Sequence, residues 1–218
     1  MVITDKYGVP KTDPTIFSYI ITTPDDFDPA RDRLPMIVFL HGSGERGDNI
    51  ELVKIHGVSK HFAAMGDKRS CITLSPQCPF DETWNMHIKE LKSLIDYIAD
   101  KYNADKNRIS CTGLSMGGFG AWEIAMEYPG YFSAVAPVCG GGMEWRASLI
   151  GNTPVWAFHG EDDDTVPVGR TKDMVKTLKA AGGNVKITLY PGVGHNCWDN
   201  AYDKEELIDW LLSQSKLI

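Results

Sequence analysis

Short apolar runs alternate along the chain with longer amphipathic stretches. Seven runs predict strands: Ile16–Thr22, Met36–Leu40, Cys71–Leu74, Arg108–Gly113, Phe132–Val138, Val155–Phe158 and Val185–Tyr190. Most are brief and rich in β-branched or aromatic residues, as strands covered on both faces should be. Helical periods fill the gaps. Between Met86 and Tyr102, residues Ile88, Leu91, Leu94, Ile95, Ile98 and Tyr102 recur three or four apart, on one helix face. A second helix is predicted from Met116 to Tyr128, halted by Pro129, which cannot continue it. A third covers Thr171–Ala181 and ends at Gly182-Gly183, and a fourth covers Lys204–Leu212. This alternation predicts a mostly parallel sheet of about seven or eight strands with helices on both faces.

The 218 residues fit a single domain spanning 1–218. A chain this long buries about 70% of its unfolded surface and needs no covalent or metal staple. A net charge of −7 argues against sequence-independent nucleic-acid binding, because the protein repels phosphates overall. No apolar stretch is long enough for a transmembrane helix. The N-terminal MVITDKYGVPKTDP lacks the basic and apolar regions of a signal peptide. The five cysteines are odd in number and form no CxxC, so a reducing, cytoplasmic setting is expected. Secretion would need a leader ahead of this stretch. Cys111 and Cys139 lie in apolar runs and read as small buried hydrophobes.

Candidate chemistry centres on Gly113-Leu114-Ser115-Met116-Gly117, a G-x-S-x-G segment followed by Gly118. The pattern is short, but its context is specific: a predicted strand precedes it and a predicted helix follows, as in a nucleophile elbow. A turn that sharp leaves no room for side chains two residues to either side, and glycine removes the Cβ. The serine is then presented at a helix N-terminus, where backbone N–H groups favour negative charge.

A serine hydroxyl needs a base, and the order expected after such an elbow is serine, acid, histidine. Only His159 and His195 follow Ser115. His195 lies in a loop directly after the last predicted strand and is the candidate base. His159 ends a strand and reads as a packing or loop-supporting residue. The acid falls in Glu161-Asp162-Asp163-Asp164, and spacing alone does not choose among Asp162, Asp163 and Asp164. A metal cluster does not fit, because adjacent acids point in different directions and no partner ligand shows elsewhere. No metal or cofactor is expected.

An oxyanion needs two donors. One is the N–H of Met116, and the other comes from the glycine-rich loop His41-Gly42-Ser43-Gly44, with Ser43 first and Gly44 in reserve. No G-K-[ST] follows these glycines, so a phosphate loop is excluded. Losing one such donor costs about 2.7–4 kcal/mol of barrier.

Taken together, FLHGSGERGDN at 39–49, TGLSMGGFGAW at 112–122, FHGEDDDTVP at 158–167 and GVGHNCW at 192–198 resemble the α/β-hydrolase superfamily. Within it they look like the small carboxylesterase and predicted-peptidase group related to feruloyl and acetyl-xylan esterases and polyhydroxybutyrate-depolymerase-like enzymes. The resemblance runs from about residue 35 to the end of the chain. It implies a triad of Ser115, Asp163 and His195, selecting Asp163 from the acidic run. It also implies Trp84 as an aromatic of the acyl pocket. Trp198, three residues after His195, is a second candidate wall, while Trp122, Trp156 and Trp210 read as core.

Sixteen residues separate the predicted strands ending at Val138 and beginning at Val155, too few for a lid domain. An open site favours a small-molecule or carbohydrate-linked ester over a lipid interface. The expectation is a cofactor-free serine carboxylesterase working through an acyl-enzyme. The rivals are a prolyl-oligopeptidase-type serine peptidase, an acyl thioesterase and a non-catalytic binding module. Oligomeric state and acyl and alcohol specificity are not written in the sequence.

Overall fold

The computed structural model describes residues 1–8, 17–204 and 206–216. Eight strands form one sheet in the order β1-β2-β4-β3-β5-β6-β7-β8. They are β1 Val2–Tyr7, β2 Phe17–Thr22, β3 Met36–Leu40, β4 Ile72–Gln77, β5 Ile109–Leu114, β6 Ala134–Val138, β7 Val155–Gly160 and β8 Val185–Tyr190. β1 and β2 run antiparallel at one edge, and β3 to β8 pair parallel. This is the α/β-hydrolase arrangement that the sequence resembles.

The central strands β3, β5 and β6 are buried along their full length; β3 and β6 are apolar throughout, while β5 carries buried Ser110 and Thr112. Helices α2 Ile88–Lys101, α3 Met116–Glu127 and α4 Gly169–Ala180 supply one core. On the other face pack the single turn α1 Gly57–Ser59 with the helical segment after it, α5 Trp198–Asp203 and α6 Leu207–Ser213. The apolar stripe of α2 is buried at Ile88, Leu91, Leu94, Ile95 and Ile98. The helix starts two residues later than the periodicity predicts: Met86 belongs to a separate 3-10 turn and is exposed. At the other end Asn103 takes φ +47° just past the helix, a left-handed stop that asparagine tolerates.

Some expectations need correction. β1 was not expected, because VITDKY carries charges at Asp5 and Lys6 and lies exposed as an edge strand. The predicted strand start at Ile16 lies outside the described residues. The predicted helix Lys204–Leu212 is two elements: Lys204 closes α5, α6 starts at Leu207, and Glu205 between them is outside the described residues. No described helix is long and apolar enough to cross a membrane. All five cysteines are free and buried.

Candidate active site

The turn between β5 and α3 places Ser115 at φ 51°, ψ −117°, a conformation that costs a non-glycine residue on the order of 1–3 kcal/mol. Neighbours hold it there. The Ser115 N–H donates to Val138 O of β6 at 2.9 Å. Backbone crowding explains the glycines: a Cβ on Gly113 would lie 2.4 Å from Gly117 O, and one on Gly117 would lie 1.9 Å from Leu40 O. The hydroxyl therefore stands at the carboxyl edge of the sheet, at the N-terminus of α3.

The loops after β7 and β8 are tied to each other. Glu161 N–H donates to Tyr190 O at 3.0 Å, and Asp162 N–H to Val193 O at 3.0 Å. That pairing brings Asp163 against His195. His195 Nδ1 is 2.7 Å from Asp163 Oδ2, and His195 Nε2 is 2.9 Å from Ser115 Oγ. Asp163 Oδ1 accepts the N–H groups of Thr165 at 3.0 Å and Val166 at 2.8 Å. Of the four carboxylates in this run, Asp163 alone is buried. Burial pushes its carboxyl up, but the bonds from His195, Val166 and Thr165 outweigh this and hold it below the ordinary carboxylate value. It is therefore ionised at neutral pH and favours Nδ1 of His195 as the protonated nitrogen, leaving Nε2 as the acceptor facing Ser115 Oγ.

The glycine loop after β3 borders the nucleophile. A Cβ on Gly42 would sit 3.7 Å from Ser115 Cβ. Ser43 follows it, exposed, at the start of a 3-10 turn Ser43–Glu45, and Met116 opens α3 directly after Ser115. His41 anchors the loop: Nδ1 bonds Gly42 O at 2.6 Å, and Nε2 accepts the Cys78 N–H at 2.9 Å. Burial pushes the His41 pKa down to about 4 and the Glu45 carboxyl above its usual range.

The two predicted tryptophans part ways. Trp198 meets the His195 ring edge-on, with centroids 5.4 Å apart and planes at 89°, and so walls the imidazole. Trp84 does not line the site. It is fully buried, donates Nε1–H to His41 O at 2.9 Å and packs on Phe17 and His41. A cavity of about 420 Å³ instead lies beside Met116, lined by Thr83, Asn85, Met116 and Phe119. Sequence reasoning missed Phe119, although it stands four residues after Ser115 and hence on the same helix face.

A thermostable esterase of solved structure superposes with a TM-score of 0.84 at 33% identity, covering 98% of this chain and 63% of that one. The feruloyl esterase module from Clostridium thermocellum, solved with sinapinate, shares the fold with a TM-score of 0.74 at 17% identity, covering 98% of this chain and 87% of that one. A carboxymethylenebutenolidase-like protein of Yersinia pestis is 26% identical over 114 residues, 44% of this chain and 40% of its own length. The chain thus spans less than half the length of that curated relative. Residues 77–206, more than half of the chain and including Ser115, Asp163 and His195, match the model of one family: the chain belongs to the dienelactone hydrolase family.

Proposed function

We propose that this chain is a serine carboxylic-ester hydrolase. The observation that carries the reading is the continuous hydrogen-bonded chain from Ser115 Oγ through His195 to the buried Asp163 carboxylate, with steps of 2.9 and 2.7 Å. Ser115 Oγ attacks the ester carbonyl as Nε2 of His195 takes its proton. The carbonyl oxygen gains the negative charge and is met by the N–H groups of Met116 and Ser43. His195 then protonates the leaving alcohol, and the acyl group stays on Ser115. Water, deprotonated by His195, releases the acid and restores the serine.

The cavity beside Met116 supports an acyl group larger than acetyl. Met116 and Phe119 give it apolar walls, and Thr83 and Asn85 give its rim polar groups. Aromatic acyl esters suit these walls, and carbohydrate-linked esters suit an open rim. A thioesterase reading has one observation behind it: a 54-residue stretch is 43% identical to acyl-protein thioesterase 1 of Gibberella zeae. The test is a panel of p-nitrophenyl esters of rising chain length with methyl ferulate, acetylated xylan and an acyl-thioester, using Ser115→Ala as control. Hydrolysis by the wild type, lost in Ser115→Ala, is expected. No turnover of any ester, with Ser115 unlabelled by a fluorophosphonate, overturns the reading.

A further inference from the structure

We propose that His159 is a positioning residue: a second imidazole, lying 3.1 Å from the triad carboxylate, that sets how strongly Asp163 draws on His195. The inference rests on the Ser115–His195–Asp163 reading above.

His159 lies in β7, one residue before its end, and is fully buried. Its Nε2 is 2.8 Å from Val166 O and 3.1 Å from Asp163 Oδ2. Both are acceptors, so Nε2 carries a proton. Asp163 Oδ2 is the same oxygen that faces His195 Nδ1 at 2.7 Å. One carboxylate oxygen is thus shared by two imidazoles. The far side of the ring is fixed as well. Nδ1 is 2.7 Å from Thr171 Oγ1 on α4, and that hydroxyl is 2.5 Å from Gly140 O, in the loop after β6. The loop after β7 and helix α4 thus hold both sides of a ring that does no step of the reaction, with Gly140 fixing the Thr171 hydroxyl behind it.

The groups facing the two imidazoles are few. Ser115 approaches His195 from the elbow and Trp198 covers one side of it, while the Cys139 thiol, paired with Cys197, stands near the Asp163 carboxylate. Burial keeps the Cys139 thiol protonated and pushes His159 below its ordinary value, so His159 serves as a neutral donor. The polar Nε2–H edge of His159, bonded to Val166 O and 3.1 Å from Oδ2, stabilises part of the carboxylate charge and so weakens its pull on His195. Removing it leaves the charge to His195 alone, which favours the imidazolium.

The experiment compares His159→Leu, which fills the space without a donor, with His159→Gln, whose amide can return an N–H near the Nε2 position. In His159→Leu the acid limb of kcat/KM for p-nitrophenyl acetate should move to higher pH by about half a unit to one unit. The His195 imidazole signals, followed by NMR in the free protein, should titrate higher by a similar amount. Both should return toward wild type in His159→Gln. If His159→Leu does not fold, Thr171→Val, which releases Nδ1, should give a smaller shift in the same direction. Unmoved titrations in a folded Leu or Val variant overturn the proposal, as does a shift that Gln leaves in place. The NMR titration needs no turnover, so it decides the role of His159 even if no ester is hydrolysed.

Discussion

Asp163 and His195 meet through a single short hydrogen bond, Oδ2 to Nδ1 at 2.7 Å, while two backbone amides occupy the other carboxylate oxygen. The carboxylate therefore cannot rotate to offer a different atom. Asp163→Asn should keep the fold but allow the wrong histidine tautomer, lowering kcat by about 10⁴. Steady-state hydrolysis of p-nitrophenyl esters checks this. A loss below tenfold would remove Asp163 from the triad.

The glycine pair of the elbow gives a stability prediction. A methyl on Gly117, in the first turn of α3, would overlap the main-chain carbonyl of Leu40 at the end of the central strand β3, and neither backbone can yield. Gly117→Ala should cost more than about 3 kcal/mol or prevent folding. Gly44→Ala, three positions from His41 where a Cβ would meet nothing within 4 Å, should stay within about 0.5 kcal/mol of wild type. Thermal unfolding of the two variants separates crowding from a general sensitivity to lost glycine.

His41 gives the structure a dependence on pH. Its folded value of about 4 lies below the ordinary 6.5, so the unfolded chain takes up a proton that the folded one refuses. Stability from the neutral ring is fully present above pH 6.5 and is lost as pH falls toward 4, by up to about 3 kcal/mol. Urea unfolding at pH 7, 5.5 and 4.5 should show this fall, and His41→Gln should flatten it. An equal fall in the variant would assign the effect to other groups.

Phe119 sets the size of the cavity beside Met116. Phe119→Trp should fill part of it, reducing kcat/KM for long-chain and aromatic acyl esters about tenfold, near 1.4 kcal/mol, with acetate nearly unchanged. An unaltered chain-length profile would place the acyl group elsewhere.

Much of this was legible because it is local. The elbow announces itself in five consecutive residues whose glycines answer steric demands, and β3 and β6 are apolar on both faces because both faces are covered. Less legible features depend on distant partners. Trp84 reads as a pocket aromatic until the fold sets its indole under His41. Spacing alone leaves Asp162, Asp163 and Asp164 alike, and only the family resemblance picks Asp163; the fold supplies the physical reason, since it alone of the run is buried. β1 is invisible because an edge strand with one partner needs little apolar character. His159 reads as packing until β7 sets it against Asp163, since no spacing rule joins two histidines across two loops.

Ser115 and His195 stand 80 residues apart in the chain, and His195 is reached only after β8 has joined β7 at the sheet's edge. Contacts so distant in sequence form late, so the Ser115–His195 pair should be among the last features a refolding molecule regains. Helix signals should recover first, and turnover should appear only when the outermost strand locks on, making the reaction itself a clock for completion of the sheet.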